Sequence, residues 1–445
     1  MRTGSLPASA IAGAILRSVV AVLLLVTVFL VALIASQGAG RGWVAWAVTL
    51  AIGLGGGLLA RYRGTGRRRS RWRWAPLGLV ALLTALVCLP TVPAGHEPPR
   101  ALQGVATERW ELSTGSRVAV YHYPPPAESA RRPVPLLYLH GGPIRSISML
   151  DHRFLAGLAH RGYDVYAYEQ AGAGRSDLLA IDSYSIDREL ADLNAVIRHL
   201  DRGPVDVLGF SAGGSLLTRA LADPATEPNL HRAIIAEPGP MDGPTAALTG
   251  RKGEPNAAGI APGLSGPRST AYPRYAAAFG LLRLGLLRPD SQLVAQPEAL
   301  NAFTAADLGS DTASAYCARD ADRLPVEDDA DNFTFNVAAS TRVQDSIRRS
   351  PSLAAHLGRS TTPAMLMMAE CSSQVRAWET TIIHDDPALR RVQYLPGVGH
   401  HLWNGLDDNN ERAYAVITAF LDGRPAPLPN YPTRADLPRF AKERR

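Results

Sequence analysis

The feature that most constrains this 445-residue chain is a Gly-x-Ser-x-Gly motif between a predicted strand and a predicted helix. The stretch Val205–Phe210 predicts the strand, and the helix is expected to begin at about Ala212. Glycines in such a turn allow the strand and the helix to approach closely, which holds the serine side chain exposed. The helix N-terminus also favours developing negative charge. The pattern therefore predicts that Ser211 is a nucleophile, with a plain tight turn as the alternative.

Strand-like segments alternate with helical ones from residue 105, which is typical of an α/β protein with a mostly parallel sheet covered on both faces. A hairpin is expected first, and apolar runs such as "VPLLYLH" and "PAMLMMA" follow as buried strands. Apolar residues recur with helical spacing over 186–200, with Ser185 as the expected cap. The alternation lapses after Pro240. We therefore expect a core at 105–240 and 362–422, a mainly helical lid at 241–361 and a solvated tail at 423–445.

A second glycine-rich motif, "LHGGP", follows the strand predicted before residue 140. Its glycines leave backbone N–H groups free to point at an oxyanion, and losing one such donor typically costs about 100-fold or more in rate. Gly142 and Ala212 are the predicted donors, while His140 is expected to brace the loop. An ordinary strand-ending turn is the alternative interpretation.

The third motif, "PGVGHHLW", places two histidines on the loop after the last predicted core strand. A histidine there can lie over the nucleophile and act as its general base. His400 directly follows the Gly-x-Gly turn, so it is preferred to His401. A solvent-exposed histidine pair is the alternative.

These motifs, in the order HGGP, G-x-S-x-G and G-x-G-H, resemble the α/β-hydrolase superfamily and imply an α/β-hydrolase fold over about residues 105–422. The segment "YEQAGAGRSD" at Tyr168–Asp177 is similar to the D-Q-x-G-x-G-x-S segment of the proline iminopeptidase branch, with Glu169 for the usual Asp. The branch usually has Trp where this chain has Ala212, and Arg where it has Ala171.

The acid that would orient His400 has several candidates. The family's usual turn after the strand 364–369 is Gly-x-x-Asp, and the matching residue here is Ser372, which cannot carry a charge. Some α/β-hydrolases, including members of the haloalkane dehalogenase branch, place the acid at the end of an earlier strand, which here corresponds to Glu237. A carboxylate closing an apolar strand needs a partner because unpaired burial is costly. We predict Glu237 as the acid, with Glu370 or no acid as alternatives.

Three apolar stretches without charged residues precede this region, at about 18–35, 43–60 and 75–95. Each is long enough to span a bilayer as a helix, which needs roughly 20 residues. The first is too long for the apolar region of a typical signal peptide, and two more follow at once. Residues 1–96 are therefore expected to be a membrane anchor with three transmembrane helices.

The distribution of arginines predicts the orientation of this anchor. Seven arginines lie within Arg61–Arg73, between the second and the third span, and short basic loops stay cytoplasmic. The third span then crosses the membrane once more, so the catalytic domain of this multi-pass cell-membrane protein is expected on the outer side. Ten Arg and no acidic residue precede Glu97, so the remaining chain has 36 basic and 40 acidic residues. That mildly acidic balance argues against a nucleic-acid partner. The expected partners are the membrane and a small-molecule or peptide substrate.

Cysteines and charged clusters leave further alternatives open. Cys317 and Cys371 fall in the part predicted to be outside, where a bridge is permitted, but the sequence cannot supply the Cα separation that a bridge requires. No CxxC or HExxH spacing occurs, so no metal site and no cofactor are expected. The resemblance implies that the acidic lid run Glu327–Asp331 pairs with a substrate α-amino group, with a solvated loop as the alternative.

The combined prediction is a membrane-anchored, extracytoplasmic serine hydrolase that cleaves a peptide bond at an N-terminal residue or an ester bond. In this hypothesis Ser211 attacks the carbonyl, His400 relays the proton and Glu237 orients the histidine. The alternative is a non-catalytic membrane-bound binding protein that keeps the hydrolase fold, which the missing aspartate favours.

Overall fold

The chain divides into two compact units. One comprises His96–Thr270 with Ala299–Arg445, and the other comprises Met1–Gly95 with Ala271–Glu298. The computed structural model describes residues 105–128, 132–248, 336–370, 376–403 and 407–431 of the first of these, and in the other only Leu24, Thr27, Val28, Ala51 and Ile52.

Several predictions from the sequence fall on other parts of the chain. The three predicted spans, apart from those five positions, lie outside the described residues, as do Cys317, Cys371, Ser372 and the acidic run Glu327–Asp331. In the described ranges, no helix combines the length and the apolar character needed to cross a bilayer. The anchor, the disulfide and the role of the lid carboxylates therefore stay predictions.

Eight strands form one mixed sheet in the order β1-β2-β4-β3-β5-β6-β7-β8. Strand β2 is antiparallel to both β1 and β4, and the remaining neighbours are parallel. The opening hairpin and the mostly parallel sheet predicted from the sequence are therefore confirmed. The strands are β1 Ala106–Glu111, β2 Arg117–Tyr123, β3 Leu136–Leu139, β4 Val165–Tyr168, β5 Val205–Phe210, β6 Leu230–Ala236, β7 Ala364–Ala369 and β8 Leu389–Leu395.

Helices cover both faces of this sheet. Side chains of β5 alternate between two cores, with Val205 and Val207 in one and Leu208 and Phe210 in the other. The described helices are α1 Met149–His160, α2 Ile186–Leu200, α3 Ala212–Leu221, α4 Gly243–Ala246, α5 Val337–Arg349, α6 Ala354–Leu357, α7 Arg376–Asp385 and α8 Asp407–Leu421. Helices α2, α3, α5, α6 and α7 contribute to the first core, whereas α1 and α8 contribute to the second.

The helix boundaries follow local capping chemistry. The Ser185 hydroxyl accepts a hydrogen bond from the Arg188 N–H at 3.1 Å and caps α2, as predicted. Helix α1 was not predicted from the sequence. It begins with a capping box, in which the Ser148 and Asp151 side chains each accept a hydrogen bond from the other residue's backbone N–H group. Helices α4, α5 and α6 lie within 241–361, the segment predicted as the lid, and its role as a lid stays a prediction.

Glycines bring α3 close to the strands that precede it. A Cβ at Gly213 would lie 2.1 Å from the Leu139 carbonyl oxygen, and one at Gly209 would lie 2.4 Å from the Gly213 carbonyl oxygen. Both distances are far below van der Waals contact, so the turn after β5 requires glycine at these positions. This close approach places Ser211 at the carboxyl edge of the parallel strands.

Candidate active site

Ser211 occupies a strained backbone position between β5 and α3. Its φ and ψ angles are 53° and −116°, a region that costs a residue with a side chain about 1–3 kcal/mol. The surrounding backbone holds this conformation, because the Ser211 N–H donates to the Ala236 carbonyl at 2.9 Å and the Ser211 carbonyl accepts from the Gly239 N–H at 3.3 Å. The hydroxyl therefore stands at the N-terminus of α3 on a fixed backbone.

His400 reaches this hydroxyl from the loop between β8 and α8. Its Nε2 atom lies 3.0 Å from the Ser211 Oγ atom, and its Nδ1 atom lies 3.4 Å from the Glu237 Oε2 atom. The imidazole ring packs against the Phe210 ring, with the ring centres 5.0 Å apart. The structure thus brings Ser211, His400 and Glu237 together in one chain of polar contacts.

Glu237 is the first residue after β6 and is completely buried. Its backbone has φ 47°, and its N–H donates to the Met367 carbonyl of β7 at 2.9 Å. The Oε1 atom accepts a hydrogen bond from the Ala369 N–H at 2.5 Å, which leaves Oε2 directed at His400. A buried carboxylate is costly unless it is paired, and here each of the two carboxylate oxygens has a polar contact.

Glu370, the competing acid, has a different contact. Its Oε2 atom accepts a hydrogen bond from the Gly397 N–H at 2.8 Å, and its backbone N–H donates to the Leu395 carbonyl at 3.0 Å. These bonds fix the turn that leads to His400. The carboxylate beside the His400 imidazole is therefore that of Glu237, while Glu370 supports the loop.

His401 is buried as deeply as its neighbour. Its ring packs against the Phe210 ring, with centres 5.2 Å apart, and lies edge-on to the His400 ring at 5.7 Å. The two histidines are 6% and 4% exposed, so the alternative of a solvent-exposed histidine pair is wrong.

The loop after β3 approaches the serine closely. A Cβ at Gly141 would lie 3.2 Å from the Ser211 Cβ atom, and Gly142 has φ 139°, which a side chain would strain. His140 is buried, and burial lowers the pKa of its imidazole to about 4, so the ring is neutral at neutral pH. Its Nδ1 atom contacts the Gly141 carbonyl at 2.6 Å, and its Nε2 atom accepts from the Gln170 N–H at 3.2 Å. These bonds show His140 bracing the loop, as predicted.

Glu169, which stands where the resembled motif has Asp, closes its own loop. Its carboxylate accepts backbone hydrogen bonds from Ile147 at 3.2 Å and from Arg175 at 2.7 Å. Burial raises the pKa of this carboxyl. A Cβ at Gly174 would lie 2.1 Å from the same carboxylate, so this glycine makes room for it.

Two polar residues next to the site have no role in the hypothesis drawn from the sequence. Gln170 and Asn336 both contact the backbone of Ile144, which follows the HGGP motif. The position of Gln170 inside the Tyr168–Asp177 motif could have indicated a role near the site, whereas nothing in the sequence indicated a role for Asn336.

In the described ranges, no three His, Cys, Asp or Glu side chains are grouped as a metal site would require.

This arrangement can relay a proton from the Ser211 hydroxyl through the His400 imidazole.

The family model described as the alpha/beta hydrolase fold matches residues 134–260, which include the first glycine-rich loop and the Ser211 turn. The chain is also 35% identical over 88 residues to a non-heme haloperoxidase from Rhodococcus erythropolis. That match covers 20% of this chain and 31% of the haloperoxidase, so the chain spans less than a third of that relative's length.

Similar solved structures include several hydrolases. A hydrolase from Pseudomonas aeruginosa has a TM-score of 0.47 at 15% identity and covers 72% of this chain and 99% of its own. An esterase from Exiguobacterium antarcticum has a TM-score of 0.47 at 15% identity, covering 71% of this chain and 100% of its own. A proline iminopeptidase from Mycobacterium smegmatis has a TM-score of 0.43 at 19% identity, covering 72% of this chain and 98% of its own.

Proposed function

We propose that this chain, an enzyme of the α/β-hydrolase superfamily, is a serine hydrolase that transfers an acyl group to water. The observation that carries the proposal is the 3.0 Å contact between the Ser211 Oγ atom and the His400 Nε2 atom. A serine hydroxyl is a weak nucleophile at its free pKa, and an adjacent general base activates it. A carboxylate at Nδ1 keeps a proton on that nitrogen, which leaves Nε2 free to accept the serine proton. Glu237 supplies this carboxylate in the proposal.

The reaction then follows two steps. The Ser211 oxygen attacks the substrate carbonyl carbon while its proton moves to His400, and backbone N–H groups of Gly142 and Ala212 stabilise the resulting oxyanion. His400 returns the proton to the leaving amine or alcohol, which leaves an acyl-enzyme. Water activated by His400 releases the acid product and regenerates the serine. Throughout, Glu237 stays ionised and stabilises the imidazolium.

The proposed bond is a peptide bond at an N-terminal residue or an ester bond. The resemblance of the Tyr168–Asp177 segment to the iminopeptidase branch supports the peptide bond, whereas Ala171 and Ala212 depart from that branch. A panel of aminoacyl-p-nitroanilides and p-nitrophenyl esters tests both. We expect turnover of one class by the wild type, and a kcat at least about 10⁴-fold lower for Ser211→Ala. A folded wild type that turns over neither class would favour the non-catalytic binding protein.

We also propose that residues 1–96 anchor the catalytic domain to the outer face of the cell membrane. The three uncharged apolar stretches and the arginine-rich loop between the second and the third support this proposal. Cysteine-accessibility labelling in whole cells tests it, using a chain in which the three native cysteines are replaced by serine. A cysteine placed within 432–445 should react with an impermeant maleimide, and one placed within 61–73 should not. The reverse pattern would refute the proposed orientation.

A further inference from the structure

The loop that carries the proposed oxyanion donor Gly142 depends on support from outside itself. Ile144, two residues later, has φ 56°, a conformation in which a β-branched residue is a genuine outlier. Such strain persists only where the surroundings over-determine it. Two hydrogen bonds meet this need, because the Ile144 N–H donates to the Gln170 Oε1 atom at 2.8 Å and the Ile144 carbonyl accepts from the Asn336 N–H at 2.9 Å.

Gln170 holds this loop on both sides. Its backbone N–H donates to His140, which braces the first half of the loop, and its side-chain oxygen accepts from Ile144 in the second half. The side-chain Nε2 atom donates to the Glu189 Oε2 atom of helix α2 at 2.9 Å. Gln170 is itself buried, so each of its polar atoms depends on a protein partner.

We propose that Glu189 is a positioning residue that orients the Gln170 amide and thereby holds the oxyanion loop in its working geometry. An amide presents an oxygen and an NH₂ group of similar size, so its orientation is decided by its partners. With Glu189 accepting from the NH₂ group, the oxygen faces the Ile144 N–H. Without that acceptor, the buried NH₂ group would lack a partner, and the amide would be held in place by the Ile144 N–H alone. This inference rests on the proposed function, since Gly142 acts as a donor only in a hydrolase.

The surroundings of Glu189 make this contact its principal one. The side chain is 6% exposed, and its Oε1 atom has no hydrogen-bond partner among the described residues. It lines a small cavity between α2 and the loop that contains Ile144. No described side chain therefore competes with Gln170 for this carboxyl.

The protonation state of Glu189 provides a readout that packing alone would not. Burial, followed by the nearby Asp192 charge, raises the pKa of this carboxyl to about 8. Arg188, also on α2, is occupied by Asp192 and by the Thr114 carbonyl and Ser116 hydroxyl. The other titratable groups that line the cavity are the phenols of Tyr168 and Tyr184, which burial keeps neutral by raising their pKa values, that of Tyr184 to about 12.

Below about pH 8 the carboxyl is neutral, so no charge is buried at this position. Above that pH the carboxyl ionises beside Asp192. Because two neighbouring buried negative charges are costly, we expect the Glu189 carboxylate to turn towards water and away from Asp192, which displaces it from Gln170. Activity should therefore fall above pH 8 in the wild type. Because the Asp192 charge contributes to the raised pKa, its removal should move that fall to lower pH.

The test compares three variants of the full chain with the better substrate of the p-nitrophenyl ester and p-nitroanilide panel. Glu189→Leu, which removes the acceptor, should lower kcat by about 10-fold or more with KM within about twofold, as a misplaced oxyanion donor would. Glu189→Gln keeps an acceptor for Gln170 and should retain wild-type kcat at pH 7 while lacking the fall above pH 8. Asp192→Asn, the matched control on the same helix, should retain kcat at pH 7 and shift the fall downward.

Two results would overturn the inference: a Glu189→Leu variant with wild-type kcat, or Glu189→Gln and wild type with identical pH profiles. Thermal melting of each variant reports folding, and the rescue by Gln separates loss of positioning from loss of the fold. A wild type without turnover would instead refute the proposed function. The two failures are therefore distinguishable.

Discussion

Replacement of Glu237 by glutamine should nearly abolish turnover while leaving the fold intact. The Ala369 N–H donates to the Glu237 Oε1 atom at 2.5 Å, so a glutamine here must present its oxygen to Ala369. Its NH₂ group then faces the His400 Nδ1 atom, 3.4 Å away in the wild type. A donor at this position forces Nδ1 to act as an acceptor and moves the imidazole proton to Nε2. A protonated Nε2 cannot take the proton of Ser211.

The expected loss follows from that tautomer change. Replacement of a triad acid by its amide lowers kcat by about 10⁴-fold in the best-studied serine protease, with the geometry retained. Each tenfold step in rate corresponds to about 1.36 kcal/mol, so the lost stabilisation of the transition state is about 5 kcal/mol. The 3.4 Å contact is longer than an optimal hydrogen bond, so we expect a loss of about 10³- to 10⁴-fold.

Steady-state kcat at pH 7 on the better panel substrate measures this loss, with thermal melting as the folding check. Glu370→Gln is the matched control, because a glutamine oxygen can still accept the Gly397 N–H and kcat should stay within about threefold. A Glu237→Gln variant with near-full activity, together with an inactive Glu370→Gln variant, would refute the assignment of the acid.

Three further predictions concern the base, the nucleophile turn and stability. His400→Ala should lower kcat by at least about 10³-fold, whereas His401→Gln should stay within about 10-fold, measured on the same substrate; the reverse order would reassign the base. Gly213→Ala should lower the free energy of unfolding by about 3 kcal/mol in urea, because its Cβ would lie 2.1 Å from the Leu139 carbonyl oxygen; unchanged stability would contradict this packing. The Glu189 carboxyl has its pKa raised from 4.5 to about 8, so the folded state binds its proton more tightly than the unfolded state and stability falls as pH rises through that range. Glu189→Gln should therefore gain roughly 4 kcal/mol relative to wild type between pH 4.5 and 8, measured by urea unfolding, and a constant difference would refute the buried-acid account.

The elements with strong local signals were predictable from the sequence. Strands such as Val205–Phe210 and Ala364–Ala369 are continuous apolar runs, and Ser185 carries the side chain that a helix cap needs. Helix α1 was not predicted from the sequence, although Ser148 and Asp151 could have been recognised as its capping residues. The apolar and polar residues at its start follow a glycine-rich loop without a clear boundary, and its position depends on packing against α8.

The candidate site was predictable as a set of motifs, but its contacts were not. Glu237 could be identified as a carboxylate at a strand end. Its distance to His400, which lies 163 positions later in the chain, depends on how the strands between them are arranged in the sheet. The contact of Glu370 with Gly397 likewise depends on the register of β7 against β8. Glu189 lies on a helix whose other residues predict only amphipathic packing, so its bond to Gln170 required the folded chain.

Covalent labelling of the wild-type protein with a fluorophosphonate tests the central claim, that Ser211 is an activated nucleophile, most directly. We predict one adduct per chain by intact mass, located on Ser211 by peptide mapping, with none on Ser211→Ala and much slower labelling of His400→Ala. A folded wild-type protein that forms no adduct, or an adduct that persists in Ser211→Ala, would contradict the claim.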